Sequence, residues 1–207
     1  MPQYELVYFE FRGRAEAIRL ALNYAKIPFT DTRLTRQEFE KIKGEKNRFP
    51  YGQVPVLFFD GKRIAQSHSI IRYLAAEAGL AGRDRVEAAE IDEIYETCRE
   101  LFDALTPYLR TYIGRIPGDI KALYKDLLVP TVDKYLPIIQ DFIGQNGFFH
   151  QSGISYADFY FVNYFDIFNR MHPEVFKRFG KLLEHTQRIY ALPELQDYLA
   201  KRRDHTF

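Results

Sequence analysis

The chain has no tryptophan, one cysteine and two methionines among its 207 residues. The lone thiol, Cys98, excludes an internal disulfide and leaves no cysteine pair with the spacing of a metal site. No run approaches the roughly 18 consecutive apolar residues of a membrane-spanning helix, and the N-terminus, which carries Glu5 and Glu10, lacks the long apolar core of a signal peptide. We therefore expect a soluble protein of a reducing compartment, located in the cytoplasm.

An excess of charge of one sign is also missing. The 29 basic and 28 acidic residues give a formal net charge of +1. This balance predicts that neither nucleic acid nor an acidic membrane surface is a partner, and it favours small molecules that are neutral or locally charged. What the chain has in quantity is aromatic residues, 18 Phe and 15 Tyr, which predict a core and clefts rich in rings.

The most informative stretch runs over residues 51–69. An unbroken apolar run at 56–59 is followed by Asp60-Gly61 and a second strand-like piece at 62–65. Asp-Gly between two such runs is a strong hairpin signal, because a tight turn needs positive φ angles that Gly adopts without steric penalty. Gln66-Ser67 then opens a helix, so the stretch predicts a hairpin that leads into a helix.

This stretch also has the features of a ligand site. Pro55 begins the first strand, and a proline there marks a sheet edge or a bend at which Val54 offers its free N–H and C=O groups to an extended peptide. Ser67 places a hydroxyl and backbone N–H groups at a helix start, where a carboxylate binds readily. The alternative is a hairpin with a capped helix and no ligand.

The segment before this stretch predicts a β-α-β unit. Tyr4 to Phe9 has strand character, residues 15–25 have helix-forming composition, and Phe29 to Leu34 forms a second strand. A polar helix follows at 37–43. Joined to the hairpin and its helix, this order is the thioredoxin-like arrangement, a mixed four-stranded sheet covered on both faces.

No strand pattern recurs after the two-glycine linker. Apolar residues between 91 and 112 recur every three or four positions, which predicts a long amphipathic helix. A second helical region at 119–145 contains Pro130 and Pro137, so we expect interruptions there. The predicted organisation is α/β followed by all-α: a thioredoxin-like domain at 1–78, a linker at 79–84 and an all-helical domain at 85–207.

The sequence Ile154-Ser155-Tyr156-Ala157-Asp158-Phe159 has the pattern of a helix start. Ser155 as the N-cap residue and Asp158 three positions later form an acidic variant of the capping box, and Ile154 with Phe159 fits a hydrophobic staple. We expect Asp158 to be structural.

Several motifs together resemble one family. Over nearly the whole chain, in order and at the family's spacing, these are Tyr8-Phe9, Arg12-Gly13-Arg14-Ala15-Glu16, Gly52-Gln53-Val54-Pro55-Val56-Leu57, Asp60-Gly61, Gln66-Ser67, Arg72-Tyr73-Leu74-Ala75 and Ala157-Asp158-Phe159. They resemble the cytosolic glutathione S-transferases. The N-terminal motif is similar to that of the sigma class, which includes helminth and insect transferases and the haematopoietic prostaglandin D synthase.

The resemblance implies specific roles around glutathione. Tyr8 matches the family's catalytic tyrosine, which donates to the glutathione sulfur, and Arg14 matches an arginine that adds positive field beside it. The implied glutathione-binding residues are Phe39, Lys43, Gln53, Val54, Gln66, Ser67 and Glu100. Phe39 departs from the pattern, because many sigma-class members have a Trp there that donates to the glycyl carboxylate, and the segment 44–50 is a few residues longer than in relatives.

The same analogy implies an aromatic wall for the second substrate. Its candidates are Phe9, Phe11, Gly13, Phe102, Leu105, Tyr108, Tyr160, Tyr164 and Phe207, each of which has a plain core residue as its alternative role. An apolar, ring-lined cleft suits flat apolar electrophiles.

The implied function is conjugation of glutathione, as co-substrate and without a metal, to hydrophobic electrophiles in detoxification. One alternative is a glutathione-dependent isomerase of a prostaglandin endoperoxide, and another is a non-catalytic ligand carrier or crystallin-like protein on the same fold. The resemblance also implies a homodimer in which Glu100 reaches the γ-glutamyl amine across the interface. Tyr51 is placed like the aromatic residue that some transferase classes insert into the partner.

Overall fold

The computed structural model describes residues 2–202, and the chain divides into two compact units. Of the described residues, 2–81 together with 190–202 belong to the first unit, and 82–189 form the second. The division differs from the expected domains at the C-terminus, since the last segment of the chain groups with the first unit.

A four-stranded mixed sheet forms the centre of the first unit. Its strands are β1 (Tyr4–Phe9), β2 (Phe29–Leu34), β3 (Val56–Phe59) and β4 (Lys62–Ala65), in the order β2-β1-β3-β4. β1 runs parallel to β2 and antiparallel to β3, and β3 and β4 are antiparallel. The thioredoxin-like arrangement that the sequence predicted is confirmed.

The turn between β3 and β4 has the backbone that its sequence requires. Asp60 and Gly61 adopt φ angles of 45° and 72°. Positive φ at both central residues defines a type I′ turn, whose twist matches that of the flanking strands. The hairpin is therefore closed in a register that pairs Val56 with Ala65 and Phe59 with Lys62.

Both faces of the sheet are buried. Val7 and Val56 pack with Phe39 and Phe49 in one apolar cluster, and Phe39 belongs to α2 (Arg36–Ile42). Leu6 and Leu57, which alternate with these valines onto the opposite face, are fully buried as well. On the helical side, α1 (Glu16–Tyr24) and α3 (Ser67–Glu77) pack against each other.

The C-terminal segment is attached to the first unit through buried polar groups. It contains a 3-10 turn, Pro193–Leu195, and a short helix, α10 (Gln196–Lys201). The carboxylate of Glu16, which is 1% exposed, accepts hydrogen bonds from Tyr198 at 2.8 Å and from Arg202 at 2.9 Å. A carboxylate buried in this way needs such partners, which explains why the segment groups with α1.

The second unit is helical, as expected. Its helices are α4 (Arg85–Tyr112), α5 (Ile120–Leu123), α6 (Val129–Asp141), α7 (Tyr156–Met171), α8 (Pro173–Phe176) and α9 (Gly180–Tyr190), the last residue of which belongs to the first unit. The interruption expected near Pro130 is a π-helical turn, Tyr124–Leu128, that ends where α6 begins. Pro137 lies inside α6.

Asp158 connects three segments of the second unit. The predicted capping box at the start of α7 is present, and the fully buried carboxylate accepts hydrogen bonds from the Ser155 amide at 2.8 Å and its hydroxyl at 2.9 Å. It also accepts from the Phe149 amide at 3.0 Å and pairs with the buried imidazole of His185, on α9, at 2.8 Å. Its role is structural and extends beyond its own helix.

We expect Asp158→Ala to lower the free energy of unfolding by about 3–5 kcal/mol, because several buried donors lose their acceptor at once. The control is Glu38→Ala, which removes the equivalent residue of an exposed capping box with Thr35 and should cost about 0.5–1 kcal/mol. Urea denaturation measures both. Equal losses in the two variants would show that the buried contacts of Asp158 add nothing to capping.

Candidate active site

A narrow cleft in the first unit gathers residues from three separate segments. One residue follows β1, a second group precedes β3, and a third group joins β4 to α3. The lining residues are Arg14, Tyr51, Gln53, Val54, Pro55, Ala65, Gln66 and Ser67. Five of them, Arg14, Gln53, Val54, Gln66 and Ser67, are site residues expected from the sequence, so the structure brings these five together.

The start of α3 gives the cleft an anion-binding end. Gln66, the N-cap residue, makes no side-chain capping hydrogen bond, so no side chain of the cap position occupies the amides of the first turn. The hydroxyl of Ser67 and these amides lie at the N-terminal end of α3, which carries partial positive charge. Gln66 itself has a φ of +75°, a strained backbone conformation of the kind that occurs at ligand sites.

Val54 lies just outside the sheet. Pairing of β3 begins at Val56, which is opposite Val7 on β1 and Ala65 on β4. The peptide bond between Val54 and Pro55 is cis. Val54 therefore occupies the position before the ladder at which an extended peptide can pair with its backbone.

The phenol of Tyr8 is held by the loop that follows β1. Tyr8 is 5% exposed, and its oxygen accepts a hydrogen bond from the backbone N–H of Arg14 at 3.1 Å. A Cβ atom at Gly13 would lie 2.5 Å from that same oxygen. A side chain at position 13 would therefore displace the phenol, and the φ of Gly13, +41°, also disfavours one.

Aromatic rings surround Tyr8 within the first unit. Phe9 and Phe11 stack on each other with centroids 5.3 Å apart. Both meet the Tyr8 ring edge to face, at 5.3 and 5.5 Å. Of the expected electrophile wall, Phe9, Phe11 and Gly13 thus lie together beside Tyr8.

Three other candidates for that wall form a ring cluster in the second unit. The ring centroid of Phe102, on α4, lies 6.1 Å from that of Tyr160 and 5.0 Å from that of Tyr164, both on α7. Leu105 is fully buried. Tyr108 is 1% exposed and its hydroxyl is 2.6 Å from Nε2 of His172, and burial raises its pKa to about 12, so this phenol is neutral at physiological pH.

Four expected site residues lie elsewhere or outside the described residues. Lys43 is not among the residues that line the cleft, and its ammonium group pairs with Glu40 at 2.6 Å. Phe39 is buried, and its ring packs against those of Phe9 and Phe49, with centroids 5.5 and 5.3 Å away. Glu100 is exposed on α4 of the second unit. Phe207 lies outside the described residues.

Sequence reasoning missed Arg19, a fully buried arginine of α1. Its side chain donates to backbone carbonyls on both sides of residue 10, next to Tyr8. One sequence signal was available: Arg19 stands between Ile18 and Leu20 in a helix that has apolar residues on most of its faces. Such a placement predicts a charge that needs a buried partner.

Residues 2–202 give little support to a metal site, a membrane-spanning helix or a cysteine nucleophile. Within that range, no cluster of three or more His, Cys, Asp or Glu side chains has the geometry of a metal site, and none of its helices is both long and apolar enough to cross a bilayer. Burial raises the pKa of the Cys98 thiol well above its usual value, so this residue is not a nucleophile at neutral pH.

Comparison with known proteins agrees with this geometry. Residues 4–76 match the family model of the glutathione S-transferase N-terminal domain, and residues 102–202 match that of the C-terminal domain. The chain is 34% identical to a probable glutathione S-transferase 6 of Caenorhabditis elegans, over the full length of both. It is also 34% identical to the hematopoietic prostaglandin D synthase of Gallus gallus, over 98% of each chain.

A solved structure shares the fold. The crystal structure of a glutathione S-transferase of the hookworm Necator americanus, described as monomeric, superimposes with a TM-score of 0.91, at 30% identity and with 99% of this chain and 100% of that chain covered. Taken with both domain matches, these similarities show that this chain is a transferase that uses glutathione as its co-substrate and belongs to the glutathione S-transferase family.

Proposed function

We propose that this transferase conjugates glutathione to hydrophobic electrophiles, with Tyr8 as the group that stabilises the thiolate. The observation that carries the proposal is the cleft, in which Arg14, Gln53, Val54, Gln66 and Ser67 converge from three segments. The fold alone does not assign a function. The meeting of a peptide-pairing backbone with an anion-binding helix start matches a tripeptide that carries carboxylates.

The γ-glutamyl and cysteinyl parts of glutathione have complementary groups in the cleft. The γ-glutamyl carboxylate binds at the start of α3, where it accepts from the Ser67 hydroxyl and from backbone amides. The cysteinyl residue pairs with the backbone of Val54, and the amide side chains of Gln53 and Gln66 supply further hydrogen bonds. These contacts orient the sulfur and leave it free to react.

The energetic demand on Tyr8 is modest. A thiol of this kind has a pKa of about 8.5, and lowering it to about 6.5 needs about 2.7 kcal/mol of preferential stabilisation of the thiolate. One hydroxyl that donates to an anion supplies about 1.5–3 kcal/mol. The guanidinium of Arg14, which lines the cleft, supplies the remainder through its charge.

The reaction follows from these roles. The glutathione thiol releases its proton to solvent, and the Tyr8 hydroxyl donates a hydrogen bond to the sulfur anion. The sulfur lone pair then forms a bond to the electrophilic carbon, while the leaving group departs with its bonding electrons. The protein contributes orientation and field and forms no covalent bond to either substrate.

A second candidate, prostaglandin isomerisation, draws its support from the similarity to the avian prostaglandin D synthase. It needs the same thiolate and a more selective pocket. Activity measured side by side with a chromogenic aryl halide and with the prostaglandin endoperoxide distinguishes the two candidates. Turnover of the halide without isomerisation supports the conjugating function, and efficient isomerisation with little conjugation overturns it.

We further propose that the protein is a sigma-class, detoxifying enzyme of the cytoplasm and that it acts as a homodimer. The support for this assembly is the exposed position of Glu100 on α4, from which a carboxylate can reach a neighbouring chain. In a two-fold dimer each site would then depend on both chains. The rings of Phe9 and Phe11, which pack on Tyr8, would belong to the electrophile wall, and Lys43 would bind the glycyl carboxylate.

We expect Tyr8→Phe to raise the pKa of the bound glutathione thiol by about 1–2 units and to lower kcat, because the lost hydroxyl acts on the sulfur. The affinity for glutathione should stay within about threefold, since the tripeptide's ends keep their contacts. Ultraviolet difference spectra of the thiolate and calorimetric titration measure the two effects. An unchanged thiol pKa would remove Tyr8 from this role.

The charge of Arg14 should act separately from its backbone, which carries the hydrogen bond to Tyr8. Arg14→Gln keeps that amide and should raise the thiol pKa by about 0.5–1 unit, while Arg14→Lys restores part of the effect. The control is Arg36→Gln, since Arg36 lies over the Phe9 and Phe11 rings and is not among the residues that line the cleft. The same pKa in all four proteins would contradict an electrostatic role.

For the shared site, Glu100→Ala should weaken glutathione binding by about tenfold while the dimer persists, because a charged hydrogen bond is lost without loss of apolar interface. Glu93→Ala, another exposed carboxylate of α4, is the control and should bind normally. Sedimentation with and without glutathione, together with calorimetry, provides the measurement. A monomer at micromolar concentration, or a normal affinity of Glu100→Ala for glutathione, would refute the shared site.

A further inference from the structure

Arg19 is a fully buried cation in the middle of α1. Its Nε donates to both carboxylate oxygens of Asp31 on β2, each at 3.1 Å. The second carboxylate near it, that of Glu16, is 3.8 Å from Nη1. A buried guanidinium is costly unless it is paired and its donors are satisfied, and here the paired carboxylates hold it in a fixed orientation.

The remaining donors of Arg19 bind the loop after β1, which also contains the Arg14 amide that donates to Tyr8. Nη2 donates to the carbonyl of Phe9 and Nη1 to the carbonyl of Phe11, both at 3.1 Å. These two carbonyls flank the bend that leads to Gly13 and Arg14. The guanidinium thus fixes the backbone three residues before Arg14, whose amide donates to the phenol oxygen of Tyr8.

Arg19 also acts on Tyr8 without touching its hydroxyl. Its guanidinium carbon is 5.8 Å from the centroid of the Tyr8 ring. A cation at this distance from an aromatic face is attracted by the electron density of the ring. The attraction is greater when the phenol oxygen carries negative charge, so Arg19 favours polarisation of the O–H bond towards the sulfur.

We propose that Arg19 is the positioning residue for Tyr8. This proposal rests on the proposed role of Tyr8 in stabilising the thiolate. Arg19 clamps the two carbonyls of the Phe9–Phe11 bend, the clamp fixes the Arg14 amide on the phenol oxygen, and the occupied lone pair directs the phenol hydrogen towards the glutathione sulfur. The planar guanidinium of arginine makes all these contacts at once, and the ammonium group of lysine does not.

The test compares Arg19→Lys with Arg170→Gln. Arg170, on α7 of the second unit, pairs with Asp166 at 3.1 Å, and it is not among the residues lining the cleft. Arg19→Lys keeps a positive charge and loses the planar guanidinium, so we expect the thiol pKa to rise by about 0.5–1 unit and kcat to fall about 3–10-fold, with the KM for glutathione within about twofold. Arg170→Gln should leave the thiol pKa unchanged.

A double-mutant cycle with Tyr8→Phe shows whether Arg19 acts through Tyr8. If it does, Arg19→Lys adds almost nothing to the thiol pKa of the Tyr8→Phe protein. Additive effects, or an unchanged thiol pKa in Arg19→Lys, overturn the proposal for Arg19 alone. An unchanged thiol pKa in Tyr8→Phe overturns the role of Tyr8 itself, and the positioning role falls with it.

If the role of Arg19 were purely structural, Arg19→Lys would lower the midpoint of thermal unfolding and leave the thiol pKa unchanged. Thermal unfolding is therefore recorded for every variant. If Arg19→Lys does not fold, Asp31→Asn is measured in its place, because it loosens the same guanidinium while Arg19 stays in place. The same direction of change in thiol pKa supports the proposal, and no change in Asp31→Asn overturns it.

Discussion

One hydrogen bond, from the Arg14 amide to the Tyr8 phenol oxygen, depends on the absence of a side chain at position 13. With any Cβ there, the phenol oxygen would have to move, because the two atoms would be 2.5 Å apart. The bend after β1 can therefore close on Tyr8 only with glycine, and its carbonyls are then available to the buried guanidinium of Arg19. The position of one hydroxyl is thus set by a glycine, an amide and a cation that the substrate does not need to touch.

The cleft that Arg14 lines combines two backbone features of a small sheet. The hairpin places Val54 just before the strand ladder, and its return strand leads directly to the start of α3. The strained φ angle of Gln66 lies at the junction between the two, where backbone strain commonly accompanies ligand binding. An extended peptide with a terminal carboxylate matches both features, which is why we propose that glutathione binds in this cleft.

How far the sequence predicted these features depends on whether their causes are local. The turn at Asp60-Gly61 and the helix Ser67–Glu77 follow from residues that are close in sequence, and the structure confirms both. The attachment of Arg202 to Glu16 joins residues 186 positions apart, and no local pattern indicates it. The position of Arg19 within an apolar helix is a local signal of a buried charge, but no local pattern indicates its partner Asp31, which lies on another element. Phe39 was included by resemblance, and only the packing around it shows that its ring belongs to the core.

The central claim is that the sulfur of bound glutathione lies at the Tyr8 hydroxyl while the γ-glutamyl carboxylate lies at the start of α3. A crystal structure of the protein with glutathione tests it directly. The account predicts the sulfur within hydrogen-bond distance of the phenol oxygen, about 3–3.5 Å, and the carboxylate on Ser67. A tripeptide bound in the cleft with its sulfur beyond the reach of Tyr8, or bound outside the cleft, would contradict it.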